Sequence, residues 1–353
     1  MQIDFHHTVT YVTARLAGFD HEKADIIAYS AQYVDDATNG GTIKFDNGAM
    51  YKRISSAHKM VDYRHFHELD SIRVWTPFHF LPGNGGMKAE DNPEGSFVNK
   101  LVCKPNSYVA QDMINMCLAD RDKPYGLHRL GISMHVYADT WAHREFAGVS
   151  HKINNVELLS HDDEATKSYF SKMKDAVTNF AISNTFPLGH GAALSYPDRP
   201  YLEWEYENGF GEVISRDNTN EFTEAANEMF RVMQQFQGKK PTSIPKHDME
   251  TIKLIFQAAK TDDGEERHKE WLEQIAKGSF SFGAQELEYI PKGKNSWKHQ
   301  AIGTIESDDT GEEEFIYNDS FLTSNWKMFH DALQAHRFDV IHDILPKYGI
   351  SAG

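Results

Sequence analysis

Residues 135–143, HVYADTWAH, place His135, Asp139 and His143 at two successive steps of four. In an α-helix each such step returns to the same face, so the three side chains form one stripe. An imidazole and a carboxylate four residues apart can share one ion, and a carboxylate with a further histidine beyond it can bridge to a second. His128 lies on the same stripe two turns earlier. Leu130, Met134, Ala138 and Trp141 cover the remaining sides, so this helix is expected to be buried. Unpaired charge in such a place is costly, and a metal cation is a partner that satisfies all three groups together. The competing reading, a core histidine satisfied by a neighbouring carboxylate, explains any single pair but not three groups in register.

Other residues of ligating type sit where a cavity wall would need them. Asp35 continues the apolar stripe Ala24, Ile27, Ala28, Ala31, whereas Asp36 points about 100° away. His6 lies nearer than His7 to the Val9/Val12/Leu16 face. His79, within VWTPFHF, is expected on an extended segment whose alternation puts Phe78 and Phe80 on the opposite face. His190 lies in PLGHGAAL, where small neighbours allow close approach, and Asp198 follows in PDRP. His65 and His67 share a strand face in a charged setting and read as solvated. The doublets at His161, His247, His330 and His342, each followed by Asp, invite comparison with HD phosphohydrolases. They lack flanking ligand histidines at suitable spacing and read as surface features. GNGG at 83–86 has no strand-to-helix context and reads as a turn rather than a phosphate loop.

The totals narrow the function classes. The chain has 353 residues and 19 histidines, 13 of them within residues 1–200, which directs attention to that part. A net charge of −16 with no basic cluster argues against passive nucleic-acid binding. Two cysteines suggest no disulfide framework, and no apolar run approaches the roughly 20 residues of a membrane span. The opening MQIDFHHTVTYVTARLAG lacks a basic head before an apolar block. A cytoplasmic location is therefore expected, with export that needs no signal left open.

The elements that must carry these residues read as mainly helical. Helices are expected over 4–16, stopped by Gly18, and from Asp20 as N-cap to Asp35. Further ones are expected over 107–118, 125–146 and 163–183. Residues 39–53 read as a loop with weak strand character, and the stretch to Trp204 is rich in Pro and Gly. Helical periodicity recurs at 221–237, 248–259, 265–277 and 324–345, with a small β-element or long loop between the last two. The expected organisation is a metal-binding helical catalytic core over 1–205, and a helical region over 206–353, of unassigned role, packed on it.

An early His, an Asp ending a helix (QYVDD), a His among aromatics (FHFLPG), HxxxDxxxH and a late His together resemble the zinc-dependent phospholipase C and single-strand nuclease superfamily. The likeness covers about residues 1–205 and is closest to a bacterial branch with a DFH start. It implies an all-helical core holding two or three zinc ions. Asp35, His79, His135 and Asp139 would hold one, His143 and His190 a second, and His6 with Asp139 a third. Two departures stand out. No carboxylate follows His190 in the family's spacing, which leaves Asp198 as the candidate. The family also uses a processed N-terminal amine as ligand, for which Asp4 is a candidate substitute. The expected activity is hydrolysis of a phosphodiester, of phospholipase C type, by zinc-activated water, with Asp35 orienting or deprotonating that water. A lipid or other small phosphodiester fits the charge better than nucleic acid. Phe80, Trp141 and Tyr201 are candidates for an apolar approach, against the plainer reading of core aromatics. The alternatives are a zinc nuclease or phosphatase, and a non-catalytic metal-binding protein.

Overall fold

The computed structural model describes residues 1–57, 68–161, 188–308, 311 and 313–352. The helix expected over 163–183, and His65 and His67, lie outside them.

The chain begins in a π-helical turn, Asp4–Val9, that continues as α1 (Thr10–Ala17). Gly18 ends it at φ 104°, a left-handed conformation that costs a residue without Cβ little. Asp20 then caps α2 (His21–Asp36), its carboxylate accepting from the Lys23 amide at 2.9 Å. Ser107 caps α4 (Tyr108–Ala119) in the same way, after α3 (Glu68–Phe78). The helix carrying HVYADTWAH is α5 (Gly126–Ala142). It ends earlier than its periodicity predicts, so His143 is its C-cap residue. In the C-terminal half lie α6 (Asn218–Phe236), α7 (Lys246–Ala258), α8 (Gly264–Ala276) and α9 (Asn325–Phe338).

The mainly α expectation does not survive, because the described residues also form two three-stranded sheets. Helices predominate, but the fold is mixed α/β. In the first sheet β1 (Gly41–Phe45) pairs antiparallel with β2 (Met50–Arg53) and parallel with the two-residue β6 (Glu314–Phe315). The second is an antiparallel meander of β3 (Val156–His161), β4 (Glu203–Asn208) and β5 (Val213–Asp217). Strand β4 buries Trp204, Tyr206 and Asn208 in alternation, a period-2 signal that the surrounding prolines and glycines obscure. Strand β6 has no local pattern. It exists because β1 offers it an edge, so long-range pairing created it.

A second correction concerns VWTPFHF, which is helical rather than extended. Helix α3 runs through Pro77 to Phe78, and the amides of His79 and Phe80 both donate to the Trp75 carbonyl. The aromatic and β-branched residues around Pro77 fit either period, and packing selected the helix. Its end is tied to α9 by a hydrogen bond from His336 Nε2 to the Pro77 carbonyl at 2.9 Å.

The main hydrophobic cluster joins Phe5, Val9 and Val12 to Met134, Tyr137 and Trp141 of α5. It continues into Phe222 and Met229 of α6 and Trp271 of α8. Helices from both halves of the chain therefore share one core. Helix α5 crosses α2 at Gly131, where an added Cβ would lie 2.3 Å from the Ile27 carbonyl oxygen. Only a residue without a side chain lets α2 and α5 approach that closely.

Candidate metal centre

Five parts of the chain bring their ionisable side chains together around Asp139. Helix α5 supplies His135 and Asp139 and, at its C-cap, His143. The last turn of α2 supplies Asp35, and the N-terminal turn supplies His6. His79 comes from the residue after α3, and the loop that follows residue 188 contributes His190 and Asp198. Among the described residues, three groups have donor atoms mutually within 4.8 Å: His6/Asp35/His135, His79/His135/Asp139 and His143/His190/Asp198. The first two share His135 and form one locus, and the third is a second locus. Asp139 links them, since its Oδ2 lies 3.4 Å from His135 Nε2, 3.7 Å from His79 Nδ1 and 3.7 Å from His143 Nδ1. Its Oδ1 lies 3.2 Å from His6 Nε2 and 2.7 Å from the Met1 α-amino nitrogen.

The far nitrogens orient the near ones. His135 Nδ1 donates to the Ala31 carbonyl at 2.8 Å, and His79 Nε2 donates to the Ser56 carbonyl at 2.8 Å. The acceptors are carbonyls, so both nitrogens must carry the proton and the opposite nitrogens, His135 Nε2 and His79 Nδ1, are left as lone pairs. Those two atoms face each other at 3.3 Å. A proton on one of them, or a cation between them, removes the repulsion. Two nitrogens each about 2.05 Å from one tetrahedral zinc stand about 3.3–3.4 Å apart, so the spacing fits a shared ion. His143 Nδ1 donates to the His79 carbonyl and His190 Nδ1 to the Leu194 carbonyl, each at 2.7 Å. Such outer contacts fix tautomer and ring direction at metal sites. His6 differs: among the described residues neither of its nitrogens is tied to a carbonyl, and the buried ring stacks 3.8 Å above His135 with Nε2 towards Asp139 Oδ1.

The electrostatics follow from low solvation and crowded charge. Burial disfavours charge on Asp139, but His143, the α-amine, His135 and His6 outweigh it and hold the carboxyl well below the usual range. Burial likewise opposes the Met1 ammonium, yet Asp139 and Asp198 raise it to about 11. Burial lowers His143 to about 3 and takes His6 well below its usual value, the latter helped by His135. Neutral His6 and His143 beside an ionised Asp139 are in the protonation states a metal requires, whereas His79, despite its burial, is raised by Asp139 and Asp35. Burial raises Asp35, with His135 and His79 opposing it. Solvent reaches the cluster at its ends, since the Asp35 side chain is 35% exposed and that of His190 21%, while the side chains of His135 and Asp139 are 0% and 1% exposed.

The acidic and imidazole neighbours of His6 and Asp35 have other partners. Asp4 is held by Arg267 at 2.6 Å, His7 meets His268 at 2.9 Å, and Asp36 accepts from Tyr289 at 2.6 Å. His128 bonds Asn325 of α9 at 3.0 Å. Of the aromatics, Trp141 is fully buried in the core and presents no surface to a substrate. Phe80 is 5% exposed and stacks on His143 at 4.3 Å, so it braces that ring. Gly189 makes room for it, since a Cβ there would lie 2.2 Å from the Phe80 ring. Tyr201 is half-buried. Two His–Asp doublets are not surface features, because His330 is 2% exposed and Asp248 is fully buried, accepting from Ser281. Arg267 and the carbonyls of Ala31, Ser56 and Leu194 had no sequence signal, since backbone acceptors are chosen by tertiary contact.

Among the described residues no helix is long and apolar enough to cross a membrane. No curated relative and no solved structure matches the chain. A family model does match, running over residues 1–344 and so through both halves. The chain belongs to that family, a family of unknown function designated DUF6765.

Proposed function

We propose that this protein is a zinc-dependent phosphodiester hydrolase acting in the manner of a phospholipase C. The observation that carries the reading is the pair of imidazole lone pairs facing each other at 3.3 Å, with the Asp139 carboxylate beside them. Nitrogen and oxygen donors without sulfur suit zinc in hydrolysis rather than electron transfer. Bound zinc supplies an acidified water near neutral pH and positive charge for a phosphoryl group. The chain's own residues do the rest. Asp35, its Oδ1 3.8 Å from both His79 Nδ1 and His135 Nε2, is the most exposed carboxylate of the cluster and takes the proton of the attacking water. His190 and Asp198 hold the second locus, and the outer carbonyls keep the imidazoles in their binding tautomers. The substrate class comes from the likeness in ligand order to zinc-dependent phospholipases C. Net charge of −16 favours a zwitterionic phospholipid over polyanionic DNA.

Elemental analysis of protein purified without added metal should find at least two equivalents of zinc or a similar ion. Chelation should lower the thermal midpoint and stop hydrolysis of phosphatidylcholine vesicles. A folded protein free of metal overturns the reading. Loaded protein inert towards both phosphatidylcholine and single-stranded DNA makes it a binding protein, and cleavage of DNA alone makes it a nuclease.

A further inference from the structure

We propose that Arg267 of α8 is a positioning residue that joins the N-terminal turn carrying His6 to the loop carrying Asp198. On this view the C-terminal half completes the metal centre. The inference rests on reading the cluster as a metal site.

The guanidinium, fully buried, spends its donors on both segments. Nε reaches Asp4 Oδ2 at 2.6 Å and Nη2 reaches Asp4 Oδ1 at 3.3 Å, a two-point grip on the carboxylate two residues before His6. Nη2 also meets Gln2 Oε1 at 2.6 Å and the Asp198 carbonyl at 3.4 Å. Nη1 donates to the Thr261 carbonyl at 2.7 Å, which anchors the side chain to the loop before its own helix. The next residue, His268, bonds His7 at 2.9 Å. At the start of α8, a Cβ on Gly264 would come within 2.5 Å of Gln2 Oε1. Three points of one helix thus grip residues 2, 4 and 7.

This grip matters because of what the two ligands lack. His79, His135, His143 and His190 each have a far nitrogen tied to a carbonyl. Among the described residues His6 and Asp198 have no such carbonyl tie: His6 Nε2 faces Asp139 Oδ1 at 3.2 Å and Asp198 Oδ1 faces the Met1 amine at 3.3 Å, so each meets only another member of the cluster. Their placement leans on the segments that carry them, and Arg267 reaches the Asp198 carbonyl directly and the His6 segment through Asp4 and Gln2. A lysine could keep the charge beside Asp4 but could not reach five acceptors from one planar group.

The test uses the metal-stripped full chain titrated with Co2+, reading d–d absorption and bound equivalents. Two variants are compared with wild type. Arg267→Lys keeps a cation beside Asp4, so the carboxylate stays compensated. Asp4→Asn/Arg267→Gln removes both charges together and leaves no buried ion alone. Both should retain the wild-type circular dichroism. Both should lose at least 10-fold in Co2+ affinity or one equivalent of cobalt, with an altered band shape, while the His79/His135/Asp139 group still binds. Wild-type stoichiometry, affinity and spectrum in either folded variant would overturn the proposal and leave Arg267 a plain buried ion pair. Wild-type protein that binds no Co2+ would instead sink the metal reading itself.

Discussion

Replacing Asp139 by Asn exchanges one oxygen for an NH2, removes the charge and touches both loci. The carboxylate oxygens contact the Met1 amine at 2.7 Å, His6 at 3.2 Å, His135 at 3.4 Å, and His79 and His143 at 3.7 Å. An amide cannot serve all of these. With its NH2 towards Met1 it opposes an ammonium, and with its NH2 towards His135 it occupies a lone pair the metal needs. At an effective dielectric of about 20, the Asp139–amine pair at 2.7 Å is worth ~6 kcal/mol, while the separate Asp198–amine pair at 3.3 Å, worth ~5 kcal/mol, remains and keeps the amine compensated. Breaking a buried pair costs about 3–5 kcal/mol in practice, so the metal-free variant should lose about that much stability. Metal affinity should fall by more than the ~100-fold upper cost of losing an outer-sphere partner, which corresponds to ~2.7 kcal/mol. At least one equivalent should disappear and hydrolysis should collapse. The measurements are elemental analysis, thermal unfolding with and without chelator, and vesicle hydrolysis. His128→Ala is the control: it breaks the 3.0 Å bond to Asn325, should cost about 1–3 kcal/mol, and should leave metal content unchanged. If Asp139→Asn keeps full metal and activity while His128→Ala loses both, the ligands on this stripe have been assigned one turn too late.

Gly131→Ala puts a Cβ 2.3 Å from the Ile27 carbonyl oxygen, so α5 must move away from α2 at a cost of about 1–3 kcal/mol. Because His135 is tied to the Ala31 carbonyl at this crossing, metal content should fall with the thermal midpoint; unchanged metal in a destabilised variant would uncouple the helix crossing from the site. Asp25 is a separate matter of pH: burial, with its Oδ1 unbonded, raises it to about 6, with His21 opposing. The folded state then binds the proton more tightly than the unfolded chain. The stability from this group is full below about pH 4 and is lost as pH rises towards 6. Asp25→Asn should therefore gain about 1–3 kcal/mol relative to wild type between pH 4 and pH 7, read from urea midpoints across that range, and a pH-independent difference would refute the burial argument.

The division between sequence and tertiary structure runs through particular residues. HxxxDxxxH on an apolar helix was legible because helical period and residue type are local properties, and the same holds for the Asp20 cap and the Gly18 stop. His79 was legible as a candidate although its segment was misread, since residue type carries the ligating chemistry and backbone period does not. Strand β6 and the β3–β4–β5 sheet were not legible as a class of fold, because pairing partners up to 270 residues away decide whether a short segment becomes a strand. The lone pairs of His79 and His135 depend on which carbonyls their far nitrogens meet, and Ser56 and Ala31 carry no side-chain signal for that. Arg267 lies 263 residues from the Asp4 it grips, in an amphipathic helix whose periodicity announces only a buried face. Residue type and local period set which side chains are able to bind a metal; the meeting of distant backbone and charge at one point sets which of them come together, because orientation, desolvation and ion pairing arise only once the chain has closed on itself.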